Sequence, residues 1–201
     1  MNFLSIDFSN FCTSLYFNIN NKRIQKFISV NNYKNDHMVH IILDFLNKNS
    51  FIIDDLSEIF VNQGPGSFSG IRTSISVAKG FGIAKKLDLY GYNSFLLYAL
   101  SHYESKNLIY SLIKIKDKYY LKSYKFDNLL VSKTSEITID EILSKLSNDI
   151  IVCPKISKES YDRRLINLPK LEFVKENYEL LIKLKKTKYL DKNNLKPLYL
   201  T

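Results

Sequence analysis

Three glycines and two serines lie within seven consecutive residues of a chain that has few glycines elsewhere. The stretch reads GPGSFSG and contains Gly64, Gly66, Ser67, Ser69 and Gly70. It follows the apolar run EIFVN and precedes a segment with helical periodicity. Backbone N–H groups between a strand and a helix can bind an anion, and a serine hydroxyl there can cap the helix. We therefore predict contact with an anion or a nucleotide at this loop, with a tight structural turn as the alternative.

The spacing of the glycines differs from that of other glycine motifs. G-x-G-x-x-x-G is one residue longer than the dinucleotide-binding fingerprint, and no Gly-Lys-Ser/Thr follows as in a Walker P-loop. The stretch also lacks the G-x-S-x-G of a nucleophile elbow. The loop alone therefore assigns no reaction to the chain.

Few other residues could carry catalysis. Asp7 ends the first predicted strand, where a ribonuclease H-type nuclease would place one of several metal-binding carboxylates. The fourth strand ends in Asn62-Gln63, with no carboxylate at the corresponding place. His37 and His40 are three residues apart on a predicted helix and have no third ligand nearby in sequence. We assign no catalytic residue and no metal site, and we group Asp7 with the contacts of the glycine loop.

The cysteines and the hydropathy pattern set the expected cellular context. Cys12 and Cys153 are far apart and have no CxxC partner, which predicts buried free thiols. No apolar run approaches the ~20 residues of a membrane span, and no basic segment precedes an apolar one at the N-terminus. We expect a cytoplasmic protein without membrane association.

The elements that position these candidates follow a repeated order. Residues 2–7, 11–17 and 23–30 predict a meander of three strands, and residues 36–48 predict a helix. The first half continues with a strand at EIFVN, the glycine loop, a helix over residues 69–86, a strand at LYGY and a helix at SFLLYALSHY.

The second half offers the same succession. Strands are predicted at LIYSLIKI, KYYLKSYKF, LLVSKTS, DIIVC and LEFV, and helices at TIDEILSKLS, ISKESYDRRL and ENYELLIKLKK. Thr138 with Glu141 three residues later is a capping box for the first of these helices. The repeated order predicts an α/β protein of two duplicated lobes, residues 1–104 and residues 105–201, each a mixed sheet with flanking helices.

Two helices of the first lobe carry more apolar or small side chains than one core contact requires. In residues 36–48 a stripe of Val39, Ile42, Leu43 and Leu46 lies beside a stripe of Met38, Ile41 and Phe45. In the helix after the glycine loop, one face holds Ile71, Ile75, Ala78 and Gly82, and the opposite face holds Thr73, Val77, Gly80 and Ala84. The apolar arc of the first helix is about 200°, wider than the ~100° stripe of a surface helix. We predict a partner interface at Met38, Ile41, Phe45, Arg72, Thr73, Val77, Ala78, Gly80 and Phe81.

The net charge of +9 lies mainly in the second half of the sequence. Residues 1–100 carry nine Lys+Arg against seven Asp+Glu, and residues 101–201 carry twenty against thirteen. A basic C-terminal lobe suits a partner with phosphates, such as a tRNA. Lys outnumbers Arg 25 to 4, whereas contacts that read nucleic acid favour Arg, so direct RNA binding stays open.

The longest motif resembles a known family. NQGPGSFSGIRTSISVAKG is similar to the GPGSFTGxR segment of the bacterial TsaB (YeaZ) family, with Ser69 at the family's threonine. The opening FLSIDFSNFCTSLYF resembles the family's first strands, His37 matches the start of its first helix, and LKPLYL resembles its closing P-x-Y-L. The family's Asp-Thr-Ser turn reads Asp7-Phe8-Ser9 here, which puts an aromatic side chain where an ATP-binding relative handles phosphate.

The resemblance implies a fold and a role. The fold is actin-like (ASKHA, ribonuclease H-like), and the role is a non-catalytic scaffold that dimerises with TsaD through the two helices named above. TsaD then forms N6-threonylcarbamoyladenosine on tRNA next to the anticodon, with the ATPase TsaE acting on the complex. We expect no cofactor on this chain alone; a nucleotide at the TsaD interface and a homodimer stay open. The alternatives are a small actin-like metal-dependent phosphotransferase or nuclease acting alone, and a self-standing tRNA-binding module.

Overall fold

The structure is a computed structural model that describes residues 2–9, 12–29 and 37–200. Its strands are β1 (Phe3–Asp7), β2 (Cys12–Ile19), β3 (Lys22–Ser29), β4 (Glu58–Asn62), β5 (Asp88–Tyr92), β6 (Ile109–Ile115), β7 (Lys118–Lys125), β8 (Leu130–Val131), β9 (Ser135–Ile137), β10 (Ile150–Pro154), β11 (Leu171–Val174) and β12 (Asp191–Lys192). Its α-helices are α1 (Met38–Asn47), α2 (Phe68–Lys85), α3 (Ser94–Ala99), α4 (Ile139–Lys145) and α5 (Arg163–Ile166). Residues 11, 30 and 36, at which predicted elements begin or end, lie outside the described part. The side chain of Cys12 lies outside it as well.

The chain forms two compact units. The first unit comprises Met1–Ser94, Leu181–Lys186 and Leu190–Thr201, and the second comprises Phe95–Leu180 and Thr187–Tyr189. Residues near the end of the chain thus return to the first unit, whereas the sequence-based division placed them in the second lobe. The reason is pairing of β12 with β5 and an ion pair between Lys185 and Glu58.

The first unit is built on a six-stranded mixed sheet in the order β12-β5-β4-β1-β2-β3. The meander β1-β2-β3 is antiparallel, while β4 and β5 extend β1 in parallel. Leu4 and Ile6 of β1 join the same apolar core as α1 and α2, so both helices cover one face of this sheet. Asp7 ends β1 and lies opposite Ser14 of β2.

The second unit repeats this plan with a sheet in the order β11-β10-β6-β7-β8. β6 and β7 are antiparallel, and β10 and β11 extend β6 in parallel. The predicted capping box of α4 is confirmed, because Thr138 accepts from the Glu141 N–H and the Glu141 carboxylate accepts from the Thr138 N–H. Cys153 is buried in this core as a free thiol, and desolvation raises its pKa.

Three predicted elements of the second half differ in the structure. The strand predicted at LLVSKTS is two short strands, β8 and β9, which both pair with β7. The helix predicted at ISKESYDRRL is a 3₁₀ segment, Lys155–Ser160, followed by α5. The buried Tyr161 and the extended N-cap residue Asp162 lie between the two pieces and interrupt the helix. The last predicted helix is a 3₁₀ segment over Glu179–Leu184.

The basic surplus is shared between the units. The two C-terminal segments of the first unit, 181–186 and 190–201, carry five lysines against one aspartate. They therefore contribute to the first unit much of the charge that the sequence places in the second half.

No helix in the described part of the chain is long and apolar enough to cross a membrane.

Candidate functional site

The glycine loop joins β4 to α2 through a backbone that needs glycine at Gly64. This residue has φ +107°, a value that side chains on L-residues disfavour. Its N–H donates to Asn62 Oδ1 at 2.9 Å, and its carbonyl accepts from the Ser94 N–H at 2.9 Å. The loop therefore turns sharply out of the sheet and is held at both sides of Gly64.

The other two glycines of the motif let the turn after β1 pack directly on the loop. A Cβ added to Gly66 would lie 2.0 Å from the Ser9 carbonyl oxygen, and one added to Gly70 would lie 1.9 Å from the Phe8 oxygen. The Ser67 N–H donates to that Ser9 oxygen at 2.5 Å. The glycines thus serve close approach within the chain, and one loop N–H is already bonded to its own backbone.

Asp7 anchors this arrangement from below the loop. Its carboxylate accepts from the Ser9 N–H at 2.9 Å and the Ser9 hydroxyl at 2.6 Å, and from Asn62 Nδ2 at 2.8 Å. Asn62 also donates to the Ser94 hydroxyl at 2.9 Å. Burial raises the pKa of Asp7, while the hydrogen bonds from Ser9 and Asn62 oppose that rise. Both carboxylate oxygens therefore bond to the chain itself and fix the loop to the end of β1.

Ser67 is the N-cap of α2. Its hydroxyl accepts from the Gly70 N–H at 3.3 Å, which confirms one of the two serines predicted for this role. Ser69 lies in the first turn, with its hydroxyl 3.5 Å from that of Ser67 and its carbonyl accepting from the Thr73 hydroxyl. Gly66, Ser67 and Ser69 are exposed, whereas Asp7, Gly64 and Gly70 are buried.

α2 has one buried and one exposed face, as its sequence predicts. The buried face contacts the sheet through Gly70, Ile71, Ser74, Ile75 and Ala78. The side turned away is exposed at Arg72, Ser76, Lys79, Gly80, Ile83 and Ala84 and half-buried at Thr73, Val77 and Phe81. Ile83 is 84% exposed, and no atom of the described chain comes within 4 Å of a Cβ placed on Gly80.

Four residues predicted for the partner interface are core residues instead. Met38, Ile41 and Phe45 of α1 and Ala78 of α2 are at most 6% exposed and belong to the apolar core of the first unit. Ile42 and Leu46 of the other apolar stripe join the same core, because α1 contacts α2 as well as the apolar residues around the sheet. Val39, 43% exposed, is the large apolar side chain that α1 leaves at the surface.

Beside the glycine loop lies a cluster of exposed side chains that we call the Arg72 cluster: Phe68, Arg72 and Tyr199. The rings of Phe68 and Tyr199 are stacked, with centroids 5.2 Å apart. The Arg72 guanidinium carbon lies 4.1 Å from the Phe68 ring centroid, and Arg72 Nε donates to the Tyr199 hydroxyl at 2.9 Å. The segment carrying Tyr199 is held by the Leu198 N–H, which donates to the Gln63 carbonyl at 2.7 Å.

Comparisons with known proteins agree with the motif. A family model described as TsaD, tRNA N6-adenosine threonylcarbamoyltransferase, matches residues 31–169, more than half of the chain. The tRNA threonylcarbamoyladenosine biosynthesis protein TsaB of Buchnera aphidicola subsp. Baizongia pistaciae is 28% identical over 131 residues, which are 61% of this chain and 58% of that protein. YeaZ from Pseudomonas aeruginosa superposes with a TM-score of 0.69 at 13% identity, over 98% of this chain and 100% of that chain.

The chain belongs to the family that the TsaD model describes, and the Buchnera relative supports a TsaB (YeaZ) assignment. Its match to the Buchnera relative spans little more than half of that protein's length. A Bacteroides thetaiotaomicron protein with an actin-like ATPase fold and unknown function superposes with a TM-score of 0.51 at 11% identity, over 92% and 96% of the two chains. Together with the two mixed sheets, these neighbours confirm the predicted α/β actin-like fold of duplicated lobes.

In this TsaB-family chain, sequence reasoning missed part of the exposed site. Phe68 and Arg72 are four residues apart, a helical spacing that brings side chains together, so their contact could have been predicted. Tyr199 is 127 residues from Arg72 in sequence, and no local pattern indicates their hydrogen bond. In the sequence, Asn62 is only the end of a strand without a carboxylate. The structure shows that its side-chain amide joins Asp7 to the loop.

Proposed function

We propose that the chain is a non-catalytic subunit in the formation of threonylcarbamoyladenosine on tRNA, and that it binds a TsaD-type subunit through the exposed face of α2. Support for the pathway comes from family membership and from the similarity to the Buchnera tRNA threonylcarbamoyladenosine biosynthesis protein. Support for the surface comes from the small and apolar residues on the outward side of α2, chiefly the exposed Gly80 and Ile83 and the half-buried Val77.

One observation carries the proposal of a binding surface. Gly80 lies inside α2, where glycine is ~1 kcal/mol less favourable than alanine. A glycine in a helix is often compensated by close approach of a neighbour. Apart from the nearby backbone of α2 and the two residues next to Gly80, however, no atom of the described chain lies within 4 Å of a Cβ built on Gly80. The compensation is therefore expected from outside the chain, and helices with small residues at the contact can approach closely.

The neighbours of Gly80 fit a helix from a second molecule. Thr73, Val77 and Ala84 lie on the same side of α2, and each presents a small or branched side chain. Ile83 stands beside them as an exposed apolar residue that a partner would bury. This strip is narrower than the interface predicted from the sequence, because Met38, Ile41, Phe45 and Ala78 lie in the core of the first unit.

Under this proposal the chemistry belongs to the partner. The TsaD-type subunit transfers the threonylcarbamoyl group, a TsaE-type ATPase acts on the complex, and tRNA meets this chain only through the complex. The chain holds no cofactor alone, and a nucleotide would bind only at the interface with the partner. The exposed loop residues Gly66, Ser67 and Ser69 are the proposed contacts for such a nucleotide. The proposed location is the cytoplasm, where tRNA is modified.

Reconstitution tests the proposal directly. Unmodified tRNA is incubated with the cognate TsaD- and TsaE-type proteins and a threonylcarbamoyl donor, with or without this chain, and the nucleosides are quantified by mass spectrometry. We expect the modified adenosine to form only when the chain is present. Equal formation without the chain would contradict the proposed role. Magnesium-dependent ATP turnover by the isolated chain would instead favour an enzyme that acts alone.

A further inference from the structure

The guanidinium of Arg72 is held in place, and its terminal nitrogens form no hydrogen bond with the described part of the chain. The guanidinium is positioned by the Phe68 ring beneath it and by the hydrogen bond from Nε to the Tyr199 hydroxyl. Among the residues that the structure describes, no acceptor bonds to Nη1 or Nη2 of Arg72. The side chain is exposed, so these nitrogens are accessible to a second molecule.

The exposed face of α2 is cationic. The helix contains no aspartate or glutamate over its eighteen residues, and it carries Arg72, Lys79 and Lys85. Lys85 is paired with Asp54 at 2.6 Å, whereas Lys79, like the Arg72 terminal nitrogens, has no acidic partner within the described ranges. Arg72 and Lys79 are seven positions apart, so that both lie on one side of the helix, about 10 Å apart along its axis.

We infer that Tyr199 and Phe68 are positioning residues that orient Arg72 to bind a carboxylate on an acidic helix face of the TsaD-type partner. A guanidinium whose Nε is already bonded presents its two terminal nitrogens as a fork that matches a carboxylate. Stacking on Phe68 and the bond to Tyr199 limit the rotamers of Arg72 before the partner arrives, which lowers the entropy lost on binding. The inference rests on the proposed function and adds the chemistry of the partner surface.

The positive charge of this face favours an acidic helix of the TsaD-type partner over a second copy of the chain. A symmetric pairing through α2 would place two copies of the same cationic face, which has no acidic residue, against each other, and like charges across an interface are unfavourable. An acidic helix on a different subunit would instead be attracted to Arg72 and Lys79. The inference therefore favours a heterodimer through this face.

The test is a titration of the cognate TsaD-type subunit into the full chain by calorimetry. Tyr199→Phe keeps the ring and removes the hydroxyl, Arg72→Lys keeps the charge and removes the fork, and the double variant combines them. Tyr110→Phe in the second unit is the matched control for loss of a tyrosine hydroxyl. Thermal unfolding of each variant is recorded alongside.

We expect Tyr199→Phe to weaken binding about fivefold, because a less restrained Arg72 side chain loses more rotamer freedom on binding. Arg72→Lys should weaken binding about tenfold or more, and the double variant should bind no more weakly than Arg72→Lys alone, because Tyr199 acts through Arg72. Binding by the unaltered chain and by Arg72→Lys should fall similarly as salt rises from about 0.05 to about 0.5 M, because both carry a positive charge at this position. Tyr110→Phe should bind as the unaltered chain does, and no variant should unfold at a lower temperature.

The outcomes separate the inference from the proposed function. If the unaltered chain fails to bind the subunit, the proposed function is overturned and the inference with it. If the unaltered chain binds and Tyr199→Phe binds equally well, only the inference is overturned. Additive losses in the double variant, or binding that salt does not weaken, would likewise overturn the inference and leave the proposed function standing.

Discussion

Replacing Gly66 by alanine tests whether the glycine loop is shaped by close packing on the Phe8–Ser9 turn. The added Cβ would lie 2.0 Å from the Ser9 carbonyl oxygen, whereas real Cβ atoms essentially never come within 3.0 Å of such an atom. The Ser9 carbonyl must therefore move by about 1 Å or the loop must lift off it. The same carbonyl accepts the Ser67 N–H, so the movement also loses a hydrogen bond at the start of α2.

The size of the effect follows from these contacts. Overpacking of this kind costs about 2 kcal/mol and the lost hydrogen bond about 1 kcal/mol, offset by about 0.5 kcal/mol from a less flexible unfolded chain. We expect the free energy of unfolding to fall by about 2–3 kcal/mol and the melting temperature by about 5–10 °C. Gly80→Ala is the matched control: it has open space around the new Cβ and should raise stability by up to ~1 kcal/mol.

Urea unfolding followed by circular dichroism measures both variants under the same conditions. The reasoning requires opposite signs for the two substitutions. It would be refuted if Gly66→Ala were as stable as the unaltered chain, or if Gly80→Ala were as destabilised as Gly66→Ala. The first result would mean that the Ser9 carbonyl does not lie against the loop as described, and the second would mean that the space around Gly80 is not open.

Two further substitutions test the hydrogen bonds between Asn62 and its neighbours at the glycine loop and the N-cap of α4. Asn62→Ala removes the amide that bonds Asp7, Gly64 and Ser94, and should lower the free energy of unfolding by about 2–4 kcal/mol; the exposed Asn47→Ala should change it by less than ~0.5 kcal/mol. Equal urea midpoints for these two variants would contradict the account. Glu141 has its pKa lowered from 4.5 to about 2, first by the Thr138 N–H and then by Lys145. Because the pKa of Glu141 is lower in the folded chain than in the unfolded chain, its carboxylate stabilises the fold at pH values above 4.5. This contribution is lost as the pH falls from 4.5 to about 2. The unaltered chain should therefore lose more stability than Glu141→Gln in urea titrations across that range, and equal losses would disagree with the cap geometry.

Local patterns in the sequence were sufficient where neighbours in the chain decide the structure. The caps at Ser67 and Thr138 are confirmed because each depends on residues only three positions away. The two faces of α2 follow from helical spacing, and the buried one is the face with Ile71, Ile75 and Ala78. The strands of the first sheet were found because β1 and β4 are short apolar runs, buried at every position.

The remaining features depend on contacts between distant parts of the chain. Periodicity shows that α1 has a wide apolar arc, but it cannot show that one unit covers Met38, Ile41 and Phe45 by itself. Pairing of β12 with β5 joins residues about a hundred positions apart, and no local signal announces it. The Tyr199 hydrogen bond to Arg72 is of the same kind.

The measurement that tests the central claim most directly is binding of Gly80→Leu to the cognate TsaD-type subunit. A Cβ at this position has open space around it, and leucine replaces a poor helix former at an exposed site, so the variant should be as stable as the unaltered chain or up to ~1 kcal/mol more stable. The same side chain would fill the space into which the partner helix packs, and we predict a loss of affinity of at least about tenfold. Gly80→Ala, with its smaller side chain, should lose less. Unchanged affinity of a stably folded Gly80→Leu chain would contradict the claim that this face of α2 binds the partner.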